Sequence, residues 1–227
     1  MEKFKKLFRK IKWNKTLFFS SFLWLGILII LVDQATKWTA EVCLTEGKPV
    51  EVIKNFFYFT LSHNTGAAWS LGAGNIWGRI IFIIISLVMS LVFYFIWRNG
   101  VEKESKVMNA SLMLVFGGAV GNLIDRACYF FPEGQGPYGV IDFLQFYLAG
   151  GPEAAANSVL NPFPSFNVAD ASLVIGIAML IVVMIVRSVK ESKKKDQEFA
   201  EKNKKANTNN ADDKSGASKE NQNGNQD

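Results

Sequence analysis

Two aspartates in apolar surroundings are the residues of this chain best suited to chemistry. Asp142 lies within the run GVIDF and Asp170 within the run FNVADAS. Two carboxyl groups held together in a low-dielectric site cannot both ionise easily and therefore share a proton. One can then activate a water molecule while the other polarises a carbonyl group, which permits peptide hydrolysis without a metal. Because such a pair titrates as a unit, neither role is assigned to one residue.

Each aspartate also has a purely structural interpretation. Asp142 follows turn-forming glycines and a proline, so its carboxylate could simply accept hydrogen bonds from nearby backbone. Asp170 follows Asn167, a good helix N-cap, by three residues, and an acid in the first turn is favoured by the helix dipole. The pair carries chemistry only if the fold brings the two carboxyl groups together.

Two earlier clusters supply polar side chains that could support the pair. Asp33 and Lys37 in DQATK are four residues apart and can form an ion pair if a helix continues through them, although an ordinary pair at a helix end is the plainer reading. Asn64 and Gly66 in NTGAAWS combine hydrogen bonding with close backbone approach, but alone they indicate only a turn. We interpret the neighbouring His63 as a surface-loop residue.

A third cluster, GGAVGNLIDR, combines small residues with an amide, an acid and a guanidinium. Gly117 and Gly121 form a small-xxx-small step that lets another helix approach. Asn122 and Asp125 are three residues apart and share a helix face, and Arg126 offers donors suited to carboxylates. Helix packing explains the two glycines, whereas the three polar residues exceed what packing requires.

The apolar residues that must position these clusters are concentrated in long blocks. Hydrophobic residues make up 49% of the 227 residues, and each block approaches the roughly 20 residues that span a bilayer. The sequence therefore predicts a membrane all-α protein with four transmembrane helices. The four blocks run from about Leu17 to Val32, Ile76 to Trp97, Val107 to Ile124 and Val168 to Val186.

The basic residues predict the orientation of these helices. Lys and Arg cluster in residues 1–15, 98–106 and 187–195, which favours a cytoplasmic location for these segments and for both termini. The connections 33–75 and 125–167 then lie outside, and the first contains VEVIKNFFYFTLSHNTG, which is typical of short strands. We therefore expect a small extracytoplasmic β-sheet and a site near the outer face.

Three regions follow from this division of the chain. Residues 1–15 form a basic cytoplasmic segment, either a simple positive flank or a short helix on the membrane surface. Residues 16–190 form the four-helix membrane domain. Residues 191–227 are polar and almost free of apolar side chains, so the sequence predicts a disordered cytoplasmic tail.

Composition argues against several other classes of protein. The net charge of +5 arises mainly from Lys and Arg near the two ends, so it does not indicate binding to nucleic acid. Cys43 and Cys128 cannot form a disulfide framework. The sequence contains no CxxC motif or Cys/His cluster, so we predict neither a metal site nor another cofactor.

The five clusters occur in one order along the four apolar blocks, and this motif set resembles that of the lipoprotein signal peptidase (signal peptidase II) family. Any one motif is weak, but five in order are highly specific, and the resemblance covers roughly residues 17–187. It implies that Asp142 and Asp170 are catalytic. Residues with a supporting or substrate-binding role would be Asp33, Lys37, Asn64, Gly66, Asn122, Asp125, Arg126 and Asn167.

The resemblance also implies a substrate and a location. The substrate would be a prolipoprotein that carries a diacylglyceryl group on its lipobox cysteine, cut just before that cysteine by a bacterial inner-membrane enzyme. We expect a monomer in contact with membrane lipid. Two features depart from the family pattern: residues 145–165 form a longer connection, and Trp69 stands where Phe is commoner.

Two other classes of membrane protein remain open from the residues alone. Carboxyl groups within membrane proteins also serve transporters and proton pathways, but those tend to lie near the midplane, not at the outer ends of helices. A non-catalytic scaffold could use Gly117 and Gly121 for helix packing, but it would not need Asp142 and Asp170.

Overall fold

The computed structural model describes residues 14–64, 76–128, 139–148, 150–152 and 161–220. Most of the basic segment 1–15, Gly66 and the turn at 134–137 lie outside the described residues. Within those ranges the chain forms five helices and three strands. They are α1 (Lys15–Ser21), α2 (Leu23–Cys43), β1 (Val50–Ile53), β2 (Phe57–Asn64), α3 (Ile76–Gly100), α4 (Lys106–Cys128), β3 (Val140–Phe146) and α5 (Val168–Glu220).

Four of the described helices are long and apolar enough to cross a membrane, which confirms the predicted fold class. The candidate spans are Leu23–Cys43, Ile80–Gly100, Lys106–Cys128 and Val168–Phe199. The most apolar window of α4 is 61% buried, whereas those of the other three spans are 22% buried or less. Helix α4, which carries the GGAVGNLIDR cluster, is therefore the most enclosed span.

The first span begins and ends later than the sequence predicts. The expected block from Leu17 to Val32 is interrupted at Phe22, whose left-handed backbone (φ 57°) separates α1 from α2. The indole of Trp97 donates to the Ser21 carbonyl at 2.8 Å, which satisfies a backbone acceptor that the break releases. Helix α2 then continues to Cys43, so Asp33 and Lys37 lie inside a helix and not beyond its end.

Small residues let the helices approach near the polar clusters, as the sequence predicts. A Cβ atom on Gly117 would lie 2.9 Å from the Gly26 carbonyl oxygen of α2. A Cβ atom on Gly121 would lie 2.6 Å from an Asp33 carboxylate oxygen. Only glycine leaves room for the α2 backbone and the Asp33 carboxylate at these two positions.

The three strands form one antiparallel sheet in the order β1-β2-β3. Strands β1 and β2 confirm the strand prediction for the loop after the first span, whereas β3 was not predicted as a strand. A bulge between Phe59 and Ser62 interrupts the pairing of β2 with β3. Side chains of β2 and β3 pack on Ala40, which seats the sheet against the end of α2.

Helix α5 continues to Glu220, and its part from Ile181 onward belongs to a second structural unit of the chain. Residues 191–220 of the predicted tail are described as part of α5, and the disorder of the tail over 191–227 stays a prediction. This segment is rich in Lys, Glu and Ala, which favour helix, and Lys194 pairs with Glu198 one turn later at 3.7 Å. The same composition lacks the apolar residues of a core, which motivated the prediction of disorder.

Candidate active site

Asp142 lies on β3 with its carboxyl group buried and hydrogen-bonded. Its side chain is 2% exposed. The amide of Asn167 donates to one carboxylate oxygen at 2.7 Å, and the amide of Asn64 donates to the other at 3.1 Å. Burial, followed by the charge of Asp170, raises the pKa of Asp142 to about 7, although the two amides and Lys37 act in the opposite direction.

Asp170 lies in the first turn of α5, where it closes a reciprocal cap with Asn167. The Asp170 backbone N–H donates to Asn167 Oδ1 at 2.9 Å, and the Asn167 backbone N–H donates to Asp170 Oδ2 at 3.2 Å. The other carboxylate oxygen, Oδ1, accepts from the Asn122 amide at 2.7 Å. The structural reading of Asp170 as a capping residue is therefore correct, and its second oxygen belongs to the polar network.

Asn167 joins the two carboxyl groups. This residue is fully buried, its side-chain amide donates to Asp142, and its backbone amide donates to Asp170. The same side chain also donates to Asn122 Oδ1 at 3.2 Å. Two aspartates that are 28 positions apart in the sequence thus share one asparagine and interact electrostatically.

Lys37 is the cation at the base of this network. Its Nζ lies 2.8 Å from Asp33 Oδ2, 2.8 Å from Asp125 Oδ2 and 2.9 Å from Asn122 Oδ1. The ammonium group has three protons, so each acceptor can receive one. Because Lys37 donates to Asn122 Oδ1, the amide nitrogen of Asn122 is directed towards Asp170.

Asp33 and Asp125 fasten this base to the neighbouring elements. Asp33 Oδ1 accepts from the Ala169 backbone N–H at 2.8 Å, at the N-terminus of α5. Asp125 Oδ2 accepts from the Ile141 backbone N–H of β3 at 3.3 Å, beside Asp142. Helices α2, α4 and α5 and strand β3 therefore meet at one buried cluster.

Arg126 lies beside the cluster at the end of α4. One guanidinium nitrogen lies 3.4 Å from Ser86 Oγ of α3, and the guanidinium carbon lies 5.9 Å from the centre of the Phe82 ring. Its positive charge interacts favourably with Asp170, and less strongly with Asp125 and Asp142.

The charges of the described site do not balance if every group is ionised. The site holds four carboxyl groups and two basic groups, which leaves two net negative charges. Retaining one proton on Asp142 halves that excess, in agreement with the raised pKa of this residue. The cations are Lys37 and Arg126, and the acids are Asp33, Asp125, Asp142 and Asp170.

Within the described ranges, no group of three or more His, Cys, Asp or Glu side chains is arranged to hold a metal ion. The ammonium group of Lys37 lies between the carboxylates of Asp33 and Asp125, where a bound cation would otherwise be expected. The thiols of Cys43 and Cys128 are exposed and unpaired by disulfide.

Sequence reasoning missed Gln34 and misplaced His63. The Gln34 amide donates to Asp125 Oδ1 at 2.8 Å and to the Gly121 carbonyl at 3.2 Å, and its position inside DQATK was the available signal. His63 is not in a surface loop but on β2, where its Nε2 lies 2.9 Å from Glu41 Oε2. The other predicted site residues with described coordinates lie in the network, while Gly66 is outside the described ranges.

Comparisons with known proteins agree on one family. The family model for signal peptidase II (SPase II) matches residues 25–186. The lipoprotein signal peptidase of Coxiella burnetii strain Dugway is 38% identical over 165 residues, covering 72% of this chain and 89% of that protein. The Bacillus subtilis lipoprotein signal peptidase is 34% identical, covering 76% of this chain and 97% of that protein.

Solved structures agree with these sequence matches. The 2.3 Å in meso structure of a bacterial membrane enzyme superposes with a TM-score of 0.55 at 27% identity, covering 72% of this chain and 86% of that one. The 1.9 Å in meso structure of a bacterial membrane enzyme gives a TM-score of 0.53 at 28% identity, covering 70% and 88%.

Proposed function

This chain belongs to the signal peptidase II family, and we propose that it acts as an aspartic endopeptidase whose catalytic pair is Asp142 and Asp170. As a member of this family it is a multi-pass membrane peptidase that removes signal peptides from prolipoproteins.

The observation that carries the proposal is that Asn167 is shared by the buried carboxyl group of Asp142 and the half-buried carboxyl group of Asp170. Asn167 donates through its side chain to Asp142 at 2.7 Å and through its backbone to Asp170 at 3.2 Å. Capping of α5 by Asp170 does not require Asp142, a second acid, to lie nearby. Two carboxylates close together repel each other unless they share a proton. Such an arrangement is typical of a pair that performs general acid–base catalysis.

In the proposed mechanism the pair enters the reaction with one proton. The ionised carboxylate removes a proton from a water molecule while the oxygen of that water attacks the scissile carbonyl carbon. The protonated carboxyl group donates its proton to the carbonyl oxygen, which gives a neutral tetrahedral diol. Collapse of the diol breaks the C–N bond as the nitrogen receives a proton from the pair. A hydroxyl group of the diol returns its proton to the other carboxylate as the carbonyl re-forms, so the pair again holds one proton.

The amides around the pair would hold it in position through this cycle. Asn64 and Asn167 donate to Asp142, and Asn122 donates to Asp170, so both carboxyl groups keep fixed orientations. Lys37 orients Asn122 by donating a hydrogen bond to its side-chain oxygen. Carboxyl groups that are already oriented need little reorganisation as the proton moves between them.

The proposed substrate is a prolipoprotein with a diacylglyceryl group on the lipobox cysteine, cut just before that cysteine. Acyl chains that remain in the bilayer would contribute binding energy that positions the scissile bond at the pair. We place both termini in the cytoplasm and the site near the outer face, where β3 and the start of α5 meet the end of α2. We further propose that the enzyme acts as a monomer surrounded by membrane lipid.

The test is cleavage of a diacylglyceryl-modified precursor by the purified protein in detergent, followed by intact mass. Asp142→Asn and Asp170→Asn should each lower the rate by roughly 10²–10⁴-fold or more, because each removes a group that must exchange protons. Asp196→Asn, the same substitution at an exposed position of the α5 extension, is the matched control and should retain wild-type activity.

The same assay separates the proposal from its rivals. A transporter or a scaffold would leave the precursor intact in every sample. Wild-type activity in either purified site variant would contradict the assignment of the catalytic pair.

A further inference from the structure

His63 and Glu41 form a partly buried contact that lies outside the polar network described above. His63 Nε2 lies 2.9 Å from Glu41 Oε2, and the two side chains are 11% and 30% exposed. Glu41 lies on α2 one turn after Lys37, whereas His63 lies on β2 directly before Asn64. The contact therefore joins the helix that carries the ion network to the strand that carries an Asp142 partner.

The bulge in β2 explains why this end of the strand needs an attachment of its own. Pairing with β3 follows one register from Phe57 to Phe59 and resumes at Ser62 in another. A bulge bends the strand and loosens the mechanical link between its two halves. The position of the Ser62–Asn64 end is therefore not fixed by the pairing of the first half of β2.

Asn64 is the functional residue at that end of the strand. Its amide donates to Asp142 Oδ2 at 3.1 Å, the longer of the two amide contacts with that carboxylate. His63 pairs with Ile141 and Asn64 pairs with Val140, so the strand end lies directly beside the segment of β3 that holds Asp142. A small displacement of the strand end would lengthen the Asn64 contact beyond hydrogen-bonding distance.

We propose that Glu41 and His63 are a positioning pair, whose contact holds the end of β2 against α2 and thereby keeps Asn64 on Asp142. Neither residue touches the reacting atoms in this role. The pair supplements the Lys37–Asn122–Asp170 connection, so α2 is linked to both catalytic carboxyl groups by separate routes.

The expected signature is a change in the acid–base behaviour of the catalytic pair. The Asn64 amide lowers the pKa of Asp142, in opposition to burial and Asp170. The charged groups that act on Asp142 are Asp170 of α5, Lys37 of α2 and Arg126 of α4, and none of them contacts His63 in the described structure. Weakening the Asn64 contact should therefore move the alkaline fall in activity to higher pH.

The experiment compares pH–rate profiles for cleavage of the diacylglyceryl-modified precursor by purified variants. His63→Leu should lower kcat by roughly three- to tenfold and move the alkaline limb upward by about 0.5–1 pH unit, because one carboxylate hydrogen bond is weakened. Glu41→Ala should have the same effects from the other partner. The double variant should match either single variant, since both remove one contact.

Two further variants separate positioning from general damage to the sheet. His63→Gln can still donate to Glu41 and should restore both kcat and the limb to near wild type. Tyr58→Phe removes a different side-chain tie of the same sheet, the 2.8 Å hydroxyl contact with Glu51. Tyr58→Phe should lower thermal stability without moving the alkaline limb of the pH–rate profile.

The inference is overturned if the alkaline limb of the pH–rate profile lies at the wild-type pH in both His63→Leu and Glu41→Ala. It is also overturned if the shift of this limb in the double variant equals the sum of the two single shifts. Should His63→Leu fail to fold, Glu41→Ala alone decides the question. Because this role presupposes that Asp142 is catalytic, Asp142→Asn is assayed in parallel. An active Asp142→Asn variant refutes the proposed function. If Asp142→Asn is inactive but the alkaline limb does not move in His63→Leu and Glu41→Ala, only the positioning pair is refuted.

Discussion

Replacing Lys37 by methionine should destabilise the protein strongly, because it leaves two buried carboxylates without their shared cation. Lys37 is 1% exposed and its Nζ contacts Asp33, Asp125 and Asn122 at 2.8, 2.8 and 2.9 Å. Methionine keeps the length and apolar stem of the side chain but none of its protons. Removing one partner of a buried ion pair costs about 3–5 kcal/mol.

That cost converts into a measurable shift in thermal unfolding. For domains of this size each kcal/mol lowers the midpoint by about 2–4 °C, so Lys37→Met should unfold about 6–20 °C below wild type. Intrinsic fluorescence in detergent follows the transition. Lys48→Met, at an exposed lysine, is the matched control and should unfold within about 2 °C of wild type, since exposed lysines contribute little.

A charge-neutral variant tests the physical reason for the loss. Asp33→Asn and Asp125→Asn added to Lys37→Met remove the uncompensated charges while preserving side-chain shape, so more than half of the lost stability should return. The reasoning is refuted if Lys37→Met and the Lys48→Met control have the same thermal unfolding midpoint, or if the triple variant is no more stable than Lys37→Met.

Two further predictions concern stability at other positions. The pKa of Asp142 is raised from 3.8 to about 7, so its carboxyl group destabilises the fold progressively as pH rises through that interval. Asp142→Asn should therefore gain roughly 3 kcal/mol relative to wild type between pH 5 and pH 8, measured by thermal unfolding; a pH-independent difference would contradict this. Gly118→Ala would place a Cβ atom against the Ala169 carbonyl oxygen and 2.5 Å from Ser172 Oγ. It should cost about 1–3 kcal/mol by overpacking, and an unchanged midpoint would show that α5 moves aside.

Much of the site was predictable because polar side chains are costly inside apolar blocks. Asp33, Lys37 and Asn122 stand out at the ends of apolar blocks that are predicted to cross a membrane, and such residues persist at membrane depth only with partners or a purpose. Their spacing indicated which residues share a helix face. It could not show that Asn167 would contact both aspartates, because that depends on how three helices and a strand pack.

Other features carried no usable local signal. Phenylalanine at position 22 gives no indication of a left-handed backbone, so the break between α1 and α2 was missed and the first span was placed too early. Strand β3 is a short apolar run that periodicity alone does not distinguish from other buried segments. His63 was misplaced because its partner, Glu41, lies 22 positions away on another element.

The most direct test of the central claim is the pH dependence of kcat/KM for cleavage of a diacylglyceryl-modified precursor. If Asp142 and Asp170 must hold one proton between them, kcat/KM should fall about tenfold per pH unit above an apparent pKa of about 7. Activity that stays constant from pH 6 to pH 9 would contradict a catalytic pair that has to retain that proton.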